Sequence, residues 1–168
     1  MRLRGMMRGG IYGIELLMLY ILQTTAVMPA VCGVRPLLLI GAAMSIALSE
    51  GEIPGLAVGI GAGLLMDLAG AEILGIHALI LGVACYVLGS MTTELFKANL
   101  PVLLLAMAVV VPLNSMLEWL IFFVLPGYPG AVYALQTHYA PQMLYTFALT
   151  PLFYVLNRGI VRRFHRKI

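Results

Sequence analysis

The sequence predicts an all-α integral membrane protein, a compact bundle of six transmembrane helices, and three observations carry that prediction. Hydrophobic residues make up 62% of the 168 residues and charged residues only 10%, with a mean hydropathy of +1.01, which leaves too little polar surface to clothe a soluble domain. Apolar runs recur between breakers, and because a span needs about 20 apolar residues the chain has room for roughly six helices and no separate aqueous domain. The basic residues gather at alternate connections, as they do in multi-span proteins. Residues 1–168 read as one membrane domain.

The elements follow in order. The first span covers residues 11–31; its apolar run is too long for the core of a signal peptide and contains Glu15, so it reads as a retained anchor. The second (36–49) and third (54–69) open at Pro36 and Pro54, where a missing N–H costs nothing. Both are short, so the turn at Glu50 to Glu52 is pulled inward or the bilayer thins there; a re-entrant hairpin is the alternative on length. The fourth (74–92), fifth (100–125) and sixth (141–157) complete the set, with Pro101 and Pro141 at helix starts. Pro112 and Pro151 lie inside spans, where each frees a backbone carbonyl and should kink its helix.

Orientation follows from the cations. Arg2, Arg4, Arg8, Lys97, Arg158, Arg162, Arg163, Arg166 and Lys167 fall on one side of a six-span arrangement and only Arg35 on the other, so both termini are expected in the cytoplasm. The connection PGYPGAVYALQTHYA carries no charge but holds Tyr128, Tyr133 and Tyr139, the composition of an outer interfacial loop. The net charge of +3 sits in the basic tail, where topology and anionic lipid account for it; nucleic-acid binding is not implied. Cys32 and Cys85 are expected at different depths and unpaired.

Two kinds of intramembrane feature stand out. Gly55, Gly59 and Gly63 recur every four residues, and Gly75, Gly82 and Gly89 every seven, with Ala78 and Cys85 beside them, so adjacent spans carry smooth faces that admit close helix packing or a partner helix. Asp67 lies near the end of the third span without an evident partner, and a carboxylate at a helix C-terminus opposes the macrodipole, so something must compensate for it. It either reaches the interface or fixes a packing contact, with Arg35 or His77 as companions on the same side. Asn114 and Glu118 share one face of the fifth span as an intramembrane polar stripe.

Catalytic and metal patterns are missing from the sequence. It contains no GxSxG, no HExxH and no phosphate-binding Gly-rich loop, so no catalytic residue is assigned. His77, His138 and His165 are too scattered for a metal site, and no cofactor is expected. His77 five residues after Glu72 reads as a polar residue near the outer interface rather than half of an acid/base pair.

Arg35-Pro36, then Gly59-x-x-x-Gly63-Leu64-x-x-Asp67-Leu68, then Leu74-Gly75-x-x-Ala78-Leu79 and Tyr86 resemble the pattern of the rod shape-determining protein MreD family. The architecture matches over essentially the whole chain and the sharper motifs over residues 35–89; the TTELFKAN connection departs from it in balancing its acid and base where more basic character is expected. The resemblance implies a non-enzymatic scaffold of the bacterial cell-wall elongation machinery in the cytoplasmic membrane. It implies as partners the single-span protein MreC, RodA with its class B penicillin-binding protein, and the actin-like MreB on the cytoplasmic side. It also implies a fold similar to the substrate-binding subunits of energy-coupling-factor vitamin transporters, and such a subunit is the alternative reading; Ala26 and Ala30 supply one small-xxx-small step for it, whereas charged residues able to fix a ligand are sparse.

Overall fold

A computed structural model of the chain describes residues 2–25, 36–70, 75–94, 99–127 and 131–165. All regular structure among them is helical: α1 (Arg2–Thr24), α2 (Leu38–Glu50), α3 (Glu52–Gly70), α4 (Ile76–Glu94), α5 (Leu100–Trp119), α6 (Ala131–Ala134) and α7 (Ala140–His165). A π-helical turn, Leu120–Val124, prolongs α5, and another, Leu135–Tyr139, joins α6 to α7, so the elements form six rods.

The shortest rod lies at the centre. Every residue of α2 from Leu38 to Leu48 is buried, and α1, α3, α4, α5 and α7 all pack against it. The sequence LLIGAAMSIALS is apolar on every face and uncharged, the composition of a helix surrounded on all sides. Its 13 residues reflect that position: a helix enclosed by protein has no need of the length that lipid contact demands. Gly51, with φ of 94°, then turns the chain directly into α3 while its N–H donates to the Ala47 carbonyl at 3.2 Å.

The boundaries differ from the sequence reading in three places. Helix α1 starts at Arg2, well before residue 11, so the N-terminal arginines belong to a helix. The segment read as an interfacial loop is helical from Ala131 onward; after Pro129 and Gly130 it contains no breaker until Pro141. The wide π turn falls immediately before Pro141, whose ring clashes with the carbonyl four residues back in a regular helix. The last rod runs on to His165 rather than stopping at Asn157, taking Arg158, Arg162 and Arg163 into the helix.

The exterior is apolar. Leu17, Met18 and Ile21 on α1, Leu105 and Val109 on α5, and Leu144 on α7 are all more than half exposed, a surface suited to lipid as solvent. Leu100–Val124 is the one helix among the described residues that is by itself long and apolar enough to cross a membrane; Leu38–Glu50 and Ile76–Thr92 are apolar but shorter. Two apolar spaces open at this exterior. One, of about 260 Å³, lies between α5 and α7 beside Pro112. The other, of about 510 Å³, is a groove between α4 and α5 walled by Val83, Val87, Leu105 and Val109 and floored by Met44 of α2.

Candidate functional site

The α3–α4 hairpin is built by contact of backbone with backbone. A Cβ placed on Gly63 would lie 2.3 Å from Ala78 Cα, and one on Gly59 would lie 2.6 Å from the Leu81 carbonyl oxygen, distances that no side chain can share. Gly55 meets Ala47 and Cys85, and Gly89 meets Gly51 at the opposite end of the hairpin. Gly82 faces a side chain rather than backbone, Ile60, whose Cγ1 would lie 2.9 Å from an added Cβ. These glycines are thus occupied within the chain. Gly75, grouped with them in the sequence reading, differs: a Cβ there would touch nothing within 4 Å, but its φ of +101° is a left-handed turn that favours glycine.

That hairpin explains Asp67. One helical turn beyond Gly63, Asp67 reaches across the close contact to the first turn of α4. Its carboxylate accepts the amide N–H groups of Gly75 (2.8 Å), His77 (3.2 Å) and Ala78 (3.4 Å), and lies 2.7 Å from Nδ1 of His77. An acid placed unfavourably at the end of α3 is therefore placed favourably at the start of α4, where unsatisfied amides and the positive end of the helix dipole meet it. The compensation that the sequence reading required comes from these amides and from His77, one of the two companions it named; Asp67 is 2% exposed and caps the neighbouring helix.

His77 carries the connection onward. Its Nε2 lies 2.7 Å from Oε1 of Glu118 on α5, and the same oxygen accepts a bond from Asn114 Nδ2 at 2.9 Å. Reading His77 as a polar residue at the interface is corrected as well, since it is 6% exposed and links three helices. Two short contacts flank one imidazole, so His77 joins Asp67 to Glu118 through both of its ring nitrogens. The Asn114 side-chain oxygen is fully buried and has no hydrogen-bond partner, and His77, Asn114 and Glu118 help to line a cavity of about 10 Å³. The other suggested companion, Arg35, lies outside the described residues, as do Glu72 and Cys32. No cluster of His, Cys, Asp and Glu suited to a metal ion occurs among the described residues.

A second polar cluster, at the opposite end of the bundle, escaped the sequence reading. Glu50 accepts from Tyr12 Oη at 2.6 Å and from Arg8 Nη1 at 3.3 Å. Fully buried Asn157, in the amide orientation that satisfies both its ends, donates to Glu15 at 3.0 and 3.1 Å and accepts from Ser45 at 3.1 Å. The signal was the spacing of Arg8, Tyr12 and Glu15, which places all three on one face of α1.

The family model of the rod shape-determining protein MreD matches residues 9–164. No curated protein and no solved structure matches the chain.

Proposed function

Because the chain belongs to the MreD family of rod shape-determining proteins, we propose that it is a non-enzymatic, multi-pass scaffold of the bacterial cell-wall elongation machinery in the cytoplasmic membrane. The observation that carries this reading is the family match over residues 9–164. All six rods cross the bilayer in this reading and both termini are cytoplasmic, the arrangement that the placement of the cations favours. The contacts support alternation of the rods: Arg8, Glu15, Glu50 and Asn157 meet at one end, and Asp67, His77 and Glu118 at the other.

The scaffold's rigidity comes from the α3–α4 glycine contacts and from the Asp67–His77–Glu118 chain that ties the hairpin to α5. Since Gly55, Gly59, Gly63 and Gly89 are filled from within, they preform the shape that partners meet, and the partners themselves dock on the exposed apolar helix faces. Those partners are an MreC-like single-span protein, the RodA and class B penicillin-binding protein pair, and an MreB-like filament on the cytoplasmic side. A vitamin-binding transporter subunit is less well supported, because the polar residues at the bundle end bind one another around a cavity of about 10 Å³, room for a single water.

The test is complementation with copurification. In rod-shaped cells lacking their own copy, the chain should restore rod shape, and a tagged chain should retain the MreC-like protein through detergent extraction. Failure of both would refute the scaffold.

A further inference from the structure

We propose that the α4–α5 groove, with Glu118 at its outer end, binds a phospholipid whose headgroup carries a primary ammonium. The groove holds about 510 Å³ and is apolar along its length. From Leu79 to Met91 it follows α4 for about 18 Å, the reach of one extended acyl chain, at the 1.5 Å rise of a helix. Ile80 lines both this groove and the small cavity that His77, Asn114 and Glu118 help to line, so the groove's outer end adjoins these polar side chains.

Among the described residues no Lys or Arg pairs with Asp67 or Glu118. Of the two carboxyl groups joined by His77, that of Glu118 reaches the surface, with 19% of its side chain exposed against 0% for Asp67. Beside it the Asn114 oxygen, fully buried, accepts from nothing. A buried acceptor of this kind is costly unless a donor arrives. An ammonium is about the size of the water that the cavity admits, brings one positive charge and offers three N–H donors, enough for Glu118 and Asn114 together. Glu118 stands five residues beyond Leu113 at the groove's outer end, about 7.5 Å further along α5, which leaves room for the backbone of a headgroup between chain and ammonium. Trp119 follows Glu118 directly, a residue type that favours headgroup depth.

Full-length protein in nanodiscs of equal parts phosphatidylethanolamine and phosphatidylglycerol should, on native mass spectrometry, retain the ethanolamine lipid about tenfold over the glycerol lipid, the factor that about 1.4 kcal/mol gives. Glu118→Gln should abolish that preference. So should Val109→Trp, which fills the groove from a 62% exposed position and leaves the core untouched. Phosphatidylcholine, charged but without an N–H, should be enriched less than the ethanolamine lipid. Equal retention of the two lipids by the unaltered protein, or a preference that survives Val109→Trp, would overturn the proposal. A photocrosslinker at Val109 that joins another protein's transmembrane segment in native membranes, rather than lipid, would also overturn it and would give the groove to a protein partner.

Discussion

Replacing Asp67 with Ala removes the acceptor of three α4 amides and the partner of His77 Nδ1 at once. Loss of an N-cap alone costs about 0.5 to 2 kcal/mol, and breaking a buried charged contact costs about 3 to 5 kcal/mol. Because the lost contacts share one side chain these do not simply add, and about 4 kcal/mol is the working figure. At the 2 to 4 °C per kcal/mol typical of chains this size, Asp67→Ala should lower the unfolding midpoint by roughly 8 to 16 °C. The chain's single tryptophan, Trp119, adjoins Glu118 and reports the transition by fluorescence of purified protein in detergent. Asp67→Asn keeps one oxygen but loses the charge, and should fall between the two. Since Asp67 and Glu118 act through the same imidazole, Asp67→Ala combined with Glu118→Gln should cost less than the sum of the single changes. Membrane insertion should survive, while recovery of the MreC-like partner and rod shape should suffer in proportion to the lost stability. A midpoint within about 2 °C of the unaltered protein, less than 1 kcal/mol at this scale, would refute the capping role. Strict additivity of the pair would refute the connection through His77.

Further predictions follow from the same structure. Gly63→Ala should destabilise strongly because its Cβ meets Ala78 backbone, whereas Gly61→Ala, with nothing within 4 Å, should be neutral or gain up to about 1 kcal/mol in helix propensity; chemical denaturation separates the two. Val58→Leu, at a partly buried position packed against the core, should destabilise as well, read by the same denaturation. Asn157→Leu should leave the half-buried Glu15 carboxylate without its amide and cost about 1 to 3 kcal/mol, read by the same denaturation. Reporters fused after Arg8 and after Lys167 should read cytoplasmic and one near Gln136 external; an external carboxyl terminus would mean an odd number of crossings. Cys85, fully buried, should resist maleimide until the protein unfolds.

The class of fold was legible because composition and the spacing of breakers act over the whole chain, and neither depends on tertiary detail. The glycine register was legible too, since spacing of four on one face is a property of the sequence; what it could not tell is whether that face meets a partner or, as it does, Ala78 and Leu81 of the same chain. Asp67 was identifiable as a costly acid, but its compensation comes from amides that only the Gly75 turn brings near, ten residues or so later. The contact of His77 with Glu118 spans 41 positions, and no local pattern encodes such a distance. Asn157 was invisible for the same reason: it reads as the polar end of a span, and its partners Ser45 and Glu15 sit on the first two helices.

The enclosure of α2 bears on how the chain is made. At 13 residues it spans about 20 Å, short of the roughly 30 Å hydrocarbon core, so as it leaves the ribosome it is poorly matched to remain in lipid alone. Its neighbours α3, α4, α5 and α7 are all synthesised later, and α7 brings Phe153, whose ring packs on Gly41. The central helix thus waits for the last one. A chain cut before α7 is therefore expected to leave α2 without one wall of its enclosure, so its stability should depend on a segment made more than 80 residues later.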